Sequence, residues 1–139
     1  MLMRHDWTLL CTEVQTQDIG ALGLGNVFST LQVYSPLATL EQAETVLFDP
    51  PAILVSQWTA EFDADRRVHT ATVQLLAPGG EQVMWTKIVE VDFRYQSSHL
   101  MMLIMQELQF VGKGTYEYHV VIEEFAAIGE WGRACLTIS

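Results

Sequence analysis

The residues with the clearest capacity for chemistry are Glu117, His119 and Glu123, which recur at spacings of two and four. Successive side chains of a β-strand point to opposite faces, so this spacing predicts that all three share one face. Glu117 and His119 would then lie close enough to bind one metal ion. Further ligands could come from Glu90 or Asp92 only if their strand were adjacent. Without such ligands, the pattern favours a solvated polar face over a metal protein or an enzyme that uses His119.

Other motifs that would support catalysis or metal binding are short or missing. Asp63 and Asp65 resemble part of a calcium loop, but such loops supply about six or more oxygens and this segment is a short turn. The chain has no Gly-x-Ser-x-Gly and no His-Glu-x-x-His motif, and no histidine lies near Cys11 or Cys135 in sequence to favour a reactive thiolate. We therefore expect a protein that is not an enzyme and that holds no cofactor.

The tryptophans are candidates for a carbohydrate-binding platform, because they present large apolar rings. Trp58 and Trp85 lie in the apolar phase of their strands and are expected in the core. Trp131 is flanked by glycines and is out of phase with the apolar residues that follow it. Together with Tyr34, in the connection 34–51, it could bind a small ligand or a carbohydrate. Such a binding protein is the alternative function.

Glycines near the start of the chain invite comparison with a nucleotide-binding loop. Gly20, Gly23 and Gly25 have the spacing Gly-x-x-Gly-x-Gly, and a strand pattern follows them. A dinucleotide fingerprint requires the N-terminus of a helix at this point, because the helix holds the pyrophosphate. These glycines are therefore interpreted as turn or bulge residues.

Charge and composition exclude several function classes. The formal net charge of the 139 residues is −10, and the few lysines and arginines are scattered along the chain. Binding to nucleic acid or to an anionic membrane would work against this field. The longest apolar run, Leu100 to Met105, is far shorter than the roughly 20 residues of a membrane helix. No signal-peptide pattern precedes the first strand, so we expect a cytoplasmic protein.

Alternation with a period of two recurs along most of the chain and predicts about eight strands. The clearest case places Tyr116, Tyr118, Val120 and Ile122 on one face. Further strands are predicted at Trp7 to Thr16 and Asn26 to Val33, among others, and one long apolar face is expected at Val83, Trp85, Val89, Val91, Phe93 and Tyr95. The fold class is therefore all-β, a Greek-key sandwich in a single domain over residues 1–139.

One connection does not alternate. Thr39 to Gln42 has the spacing of a capping box, and Leu40, Ala43 and Leu47 would share one face of a short helix within residues 35–50. The following segment, Asp49-Pro50-Pro51, would end that helix. The helix could be an ordinary crossover or a lid over a ligand, and the crossover is favoured.

A spacing near the C-terminal third resembles the passage between the E and F strands of immunoglobulin-like sandwiches. It runs through Leu103, Met105, Leu108, Gly112, Gly114, Tyr116 and Tyr118. The resemblance implies that Gly114 and Tyr116 form a tyrosine corner, in which the tyrosine hydroxyl contacts the upstream backbone. Tyr118 stands where those domains have a disulfide cysteine, so that disulfide is excluded.

The chain is also similar to an uncharacterised bacterial family of small all-β proteins. Four motifs carry the resemblance in the family's order, at Leu10 to Val14, Gly23 to Phe28, Pro78 to Gly80 and Gly114 to Tyr116. The chain departs from the pattern at Asn26, where the family favours glycine. The resemblance implies a fold and no mechanism.

Two predicted strands are apolar on both faces, where a sandwich strand normally exposes one polar face. In the segment 100–105, Leu100, Met102 and Ile104 alternate with Met101, Leu103 and Met105. One set can pack in the core, and the other must be covered by the short helix or by another chain. Candidate interface residues are Leu100, Met101, Met102, Met105 and Val121. We therefore expect a non-catalytic interaction module that forms a homodimer or binds a protein partner.

Cys11 and Cys135 lie in apolar strands near opposite ends of the chain. In a protein without an export signal, two buried and reduced thiols are expected. A disulfide between two neighbouring terminal strands is the alternative.

Overall fold

The structure is a computed structural model that describes residues 3–16, 22–31, 44–60, 62–122 and 131–139. These residues form ten strands, and the only helical element among them is a 3-10 turn at Asp63–Asp65. The strands are β1 (Met3–Cys11), β2 (Glu13–Thr16), β3 (Leu22–Gly25), β4 (Thr30–Leu31), β5 (Glu44–Ala60), β6 (Val68–Leu76), β7 (Val83–Asp92), β8 (Ser98–Phe110), β9 (Gly114–Ile122) and β10 (Trp131–Ile138). The all-β prediction is confirmed, and the immunoglobulin-like detail stays a prediction.

Two main sheets contain most of the strands. One has three strands in the order β1-β5-β8, and the other has five in the order β4-β10-β9-β6-β7. All neighbours are antiparallel except β4 and β10, which are parallel. A small additional sheet pairs β2 with β3.

One hydrophobic cluster joins the inner faces of the two main sheets. Leu54 and Trp58 of β5 pack in the same cluster as Val73 of β6, Tyr118 of β9 and Leu136 of β10. The predicted inward face of β9 is confirmed, since Tyr116, Tyr118, Val120 and Ile122 are all buried. Burial raises the pKa of the Tyr118 hydroxyl, because the phenolate would lose its hydration.

The first two predicted strands have different boundaries. The segment 7–16 is divided at Thr12, whose N–H donates to the Gly25 carbonyl at 3.1 Å. Gly25 is not a turn residue, because it lies in β3 opposite Glu13. Asn26 follows with a φ of 53°, a left-handed conformation that asparagine tolerates better than most residues. The hairpin between β2 and β3 explains these differences.

The predicted helix at residues 35–50 is wrong from residue 44 onward, because β5 begins at Glu44. Its remaining residues, 35–43, lie outside the described ones. Pro50 and Pro51 do not end a helix. They lie in an irregularity of β5 between Leu47 and Ala52, outside the ladder with β8, so their missing N–H groups interrupt no strand pair.

The apolar face predicted for residues 83–95 is only partly correct. Val91 and Phe93 are buried, but Val83 and Tyr95 are exposed. A register shift between β6 and β7 separates Val83 from Trp85, and Tyr95 lies beyond the end of β7. The core therefore covers the central part of the predicted face.

Candidate functional site

The candidate site is the outer surface of β8. Among the described strands, β8 lies at the edge of its sheet and pairs only with β5. The inward phase of β8 changes along the strand. Buried side chains are odd-numbered up to Met105 and even-numbered from Leu108 onward. This change matches the irregularity opposite β5 and explains the Leu103-x-Met105-x-x-Leu108 spacing.

The side chains of β8 that point away from the core are apolar but uncovered. Met102 is 54% exposed and Ile104 is 66% exposed, while Leu100 is half-buried. Met101 and Met105 were wrongly expected at an interface, since they share the core-facing phase and are buried. The accessible apolar surface of this segment therefore consists of the even-numbered residues Leu100, Met102 and Ile104.

Val121 does not belong to this surface. It lies on β9, opposite Trp131 and Thr72 of the other main sheet. Val121 was expected at an interface together with the β8 residues, but the structure places it on the outer face of the other main sheet.

Cross-strand pairing places further apolar residues beside the β8 side chains, although Val55 and Cys11 among them are fully buried. Leu9 and Met102 flank Val55, and Cys11 and Ile104 flank Ile53. These pairings depend on the registers of both ladders, which no local sequence pattern specifies. Sequence reasoning therefore found the β8 residues and missed their neighbours on β1 and β5.

A tyrosine corner holds the connection between β8 and β9. The Tyr116 hydroxyl donates to the Gly112 carbonyl at 2.8 Å and accepts from the Val111 N–H at 2.7 Å. Gly114 has a φ of 142°, and an added Cβ would lie 2.7 Å from the Pro78 side chain. Burial raises the pKa of the Tyr116 hydroxyl. These contacts fix the C-terminal end of β8.

Glu117 and His119 lie together on the outer face of β9, as their spacing predicts. His119 Nε2 is 2.8 Å from Glu117 Oε2, and Arg133 Nε is 3.8 Å from the same carboxylate oxygen. Glu123 lies outside the described residues. The carboxylate is thus engaged by a histidine and an arginine of the polar face.

The structure does not bring further metal ligands to this pair. Glu90 and Asp92 are on β7, and β6 lies between β7 and β9. Asp63 and Asp65 form a 3-10 turn elsewhere. Within the described ranges, no group of three or more histidine, cysteine, aspartate or glutamate side chains is arranged to hold a metal ion.

Trp131 is half-buried and already has polar neighbours over its ring. The His119 ring is 4.4 Å from it between centroids, and the Arg133 guanidinium lies 4.6 Å from the ring centre. A sugar stacking on this ring would compete with the guanidinium. Tyr34, the expected second half of this ligand site, lies outside the described residues.

The two cysteines differ in their surroundings. Cys11 is buried as expected, and burial raises the pKa of its thiol. The expectation for Cys135 is wrong, because it is exposed. It occupies the outward phase of β10 between the buried Ala134 and Leu136. Both thiols are unpaired, so the terminal strands are not joined by a disulfide.

A cavity of about 330 Å³ lies at one end of the sandwich. Its lining is mainly apolar and includes Phe28, Leu31, Phe48 and Pro50, with Thr12 among its polar residues. The sequence carried no signal for it, because the cavity forms only where β5 meets the segment around Phe28.

No family model, curated protein or solved structure matches this chain. The resemblances described above stay predictions. In the part of the chain that the structure describes, no helix is long and apolar enough to span a membrane.

Proposed function

We propose that this protein is a non-catalytic, cytoplasmic interaction module that self-associates as a homodimer through the outer surface of β8. The observation that carries the proposal is the exposure of Met102 and Ile104, at 54% and 66%, on a strand whose other face is in the core. Large apolar side chains that are adjacent and uncovered are typical of interaction sites.

The charge distribution supports association at this surface. Two copies that each carry a formal charge of −10 repel one another at long range. The segment Ser98 to Gln106 contains no aspartate, glutamate, lysine or arginine. Contact along this segment therefore opposes no like charges and desolvates no ionised carboxylate or ammonium group. Methionine side chains also adapt their shape to a partner surface.

A second candidate function, small-ligand binding, is favoured by the cavity beside Phe28 and Phe48. Its volume of about 330 Å³ is near the lower limit of ordinary ligand pockets, and its lining is mainly apolar. Native mass spectrometry of the purified protein would show a bound small molecule as an added mass. Trp131 is not among the residues that line this cavity. Small-ligand binding in the cavity and carbohydrate binding at Trp131 are therefore separate hypotheses.

Sedimentation of the wild type and of Met102→Lys tests the proposed association. We expect a concentration-dependent dimer for the wild type and a shift toward the 15.7 kDa monomer for the variant. Thr86→Lys is the control, because it adds the same charge at an exposed position of β7. A monomer at every micromolar concentration, or equal behaviour of the two variants, would contradict the proposal.

A further inference from the structure

We infer that the dimer forms by edge-to-edge addition of β8 to β8 of a second copy, which joins two three-stranded sheets into one continuous six-stranded antiparallel sheet. The inference rests on the proposed function and specifies its geometry. The two-fold axis would be perpendicular to the sheet, so that each β8 strand runs opposite to its copy. Antiparallel pairing of this kind uses main-chain hydrogen bonds for binding.

The exposed side chains Met102 and Ile104 lie on β8, which is an edge of the three-stranded sheet among the described strands. Val55 points to the same face as Met102, but it lies on the central strand and is fully buried between Leu9 and Met102. Among the described strands, Met102 has a neighbour on one side only, and it remains 54% exposed. A strand added beside β8 would flank Met102 as β1 and β8 flank Val55. It would therefore cover part of the Met102 side chain.

The other edges of the two main sheets carry features that oppose strand addition. On β1, Arg4 and Asp6 form an ion pair, and the register shifts between His5 and Trp7. The edge strand β4 has only two residues. On β7, Lys87 occupies the core-facing phase, since it pairs with the buried Val73. Charges, bulges, short strands and inward-directed lysines are the devices by which natural sheets block edge pairing.

None of these devices is present in the segment Ser98 to Met105 of β8, which precedes the irregularity and Glu107. The whole strand has 13 residues, the segment Ser98 to Gln106 lacks proline and charged aspartate, glutamate, lysine or arginine, and its ladder with β5 is regular from Met105 to Ser98. At about 3.4 Å per residue, that regular part offers an edge of roughly 25 Å. A long, regular, apolar edge is a site for pairing with another strand.

The features of β8 also indicate a second copy as the occupant. An antiparallel pair of identical strands places each even-numbered residue opposite another even-numbered residue. Leu100, Met102 and Ile104 of the two copies would thus lie on the same face. No like charges meet across such a pair, whereas a strand rich in acidic or basic residues would bring unpaired charge onto an apolar surface.

Amide exchange followed residue by residue by NMR tests this geometry in the full-length protein at low and high concentration. Edge pairing predicts that alternate amides between Leu100 and Gln106 exchange at least about tenfold more slowly in the concentrated sample, because every second N–H points to the free edge. Amides of Thr86 to Glu90 on β7 serve as the control and should be unchanged.

The possible outcomes separate this inference from the proposed function. A dimer by sedimentation whose β8 amides exchange equally at both concentrations would overturn edge pairing and leave self-association standing. A monomer at all concentrations would overturn both. Protection with a period of two, confined to β8 and dependent on concentration, would support edge pairing. Protection that appears only when another protein is added would assign the edge to that partner and overturn the second copy.

Discussion

The strands β7 and β8 are edge strands of opposite sheets, and each exposes an isoleucine to almost the same degree. Ile88 of β7 is 67% exposed and Ile104 of β8 is 66% exposed. The strands differ in what surrounds these residues. Lys87 and Glu90 lie beside Ile88, whereas Ile104 lies between Leu103 and Met105. Exposure of one apolar side chain therefore does not identify an interface, and the proposal for β8 depends on the absence of blocking charges along its segment Ser98 to Gln106.

The outer faces of the two sheets show the same contrast. The five-stranded sheet presents a mixture of polar and charged groups, among them Thr72, Gln74, Thr86, Glu117, His119 and Arg133. That face alternates with a buried apolar face, as expected for an antiparallel sheet with water on one side. The three-stranded sheet is apolar on both sides along β8. The outer face of the five-stranded sheet is therefore suited to contact with water, and the apolar surface of β8 is the one proposed for association.

The largest expected effect is on the free energy of unfolding, and it comes from the tyrosine corner that follows β8. The corner at the end of β8 is buried, so Tyr116→Ala should lower the free energy of unfolding by about 3 kcal/mol or more through the cavity. Tyr116→Phe keeps the ring and should cost about 1 kcal/mol through the lost hydroxyl bonds. Urea denaturation measures both changes.

The control for the corner is Tyr95, which is 80% exposed just beyond β7. Tyr95→Ala should change the free energy of unfolding by less than about 0.5 kcal/mol. Equal urea midpoints for the wild type and Tyr116→Ala would show that the corner does not support the end of β8.

Removing the inward-directed lysine of β7 should make the two edges alike. Lys87→Val would give each copy a second open edge, so we expect species larger than a dimer in sedimentation. Lys113→Val removes the same charge from a turn and should leave the wild-type distribution. If Lys87→Val and Lys113→Val sediment identically, then Lys87 does not protect β7.

The smallest expected effect is at the end of β7, where the Arg94 guanidinium and backbone N–H bind Asp92. These hydrogen bonds lower the pKa of the Asp92 carboxyl from 3.8 to about 2. The folded state thus favours the ionised form, so the pair stabilises the protein above about pH 4 and loses this contribution as the pH falls through 2. The pair is exposed, so the contribution is small.

Urea midpoints of the wild type and Asp92→Asn between pH 2 and pH 7 measure this effect. The difference should be constant above about pH 4 and should shrink toward pH 2. A difference that stays the same over the whole range would show that ionisation of Asp92 has no part in it.

Much of the core could be predicted from the sequence because strand periodicity is a local property. The inward face of β9 follows directly from the alternation at Tyr116 to Ile122, and the corner was implied by the resemblance of this passage to immunoglobulin-like sandwiches. Segments that depend on distant pairing could not be predicted. Residues 44–47 form a strand against β8, although Leu40, Ala43 and Leu47 have a helical spacing and Pro50 and Pro51 follow. Tertiary pairing overrides local propensity there.

The candidate site shows the same division between local and distant information. Alternation predicts that either the odd-numbered or the even-numbered residues of 100–105 are exposed. Which of the two sets is exposed depends on the sheet that β8 joins. Met101 and Met105 were misassigned for this reason. The edge position of β8 also depends on strand order, which the sequence pattern does not contain.

The dissociation constants of Ile104→Lys and Ile88→Lys, measured by sedimentation equilibrium against the wild type, test the role of β8 most directly. Both variants change the same residue type at the same exposure, and both make the formal charge of −10 one unit less negative, so long-range repulsion decreases equally. We expect Ile104→Lys to weaken dimerisation by about tenfold or more, equivalent to about 1.4 kcal/mol, and Ile88→Lys to leave it within about twofold. Equal dissociation constants for the two variants, or weaker association for Ile88→Lys, would contradict the assignment of β8 as the association surface.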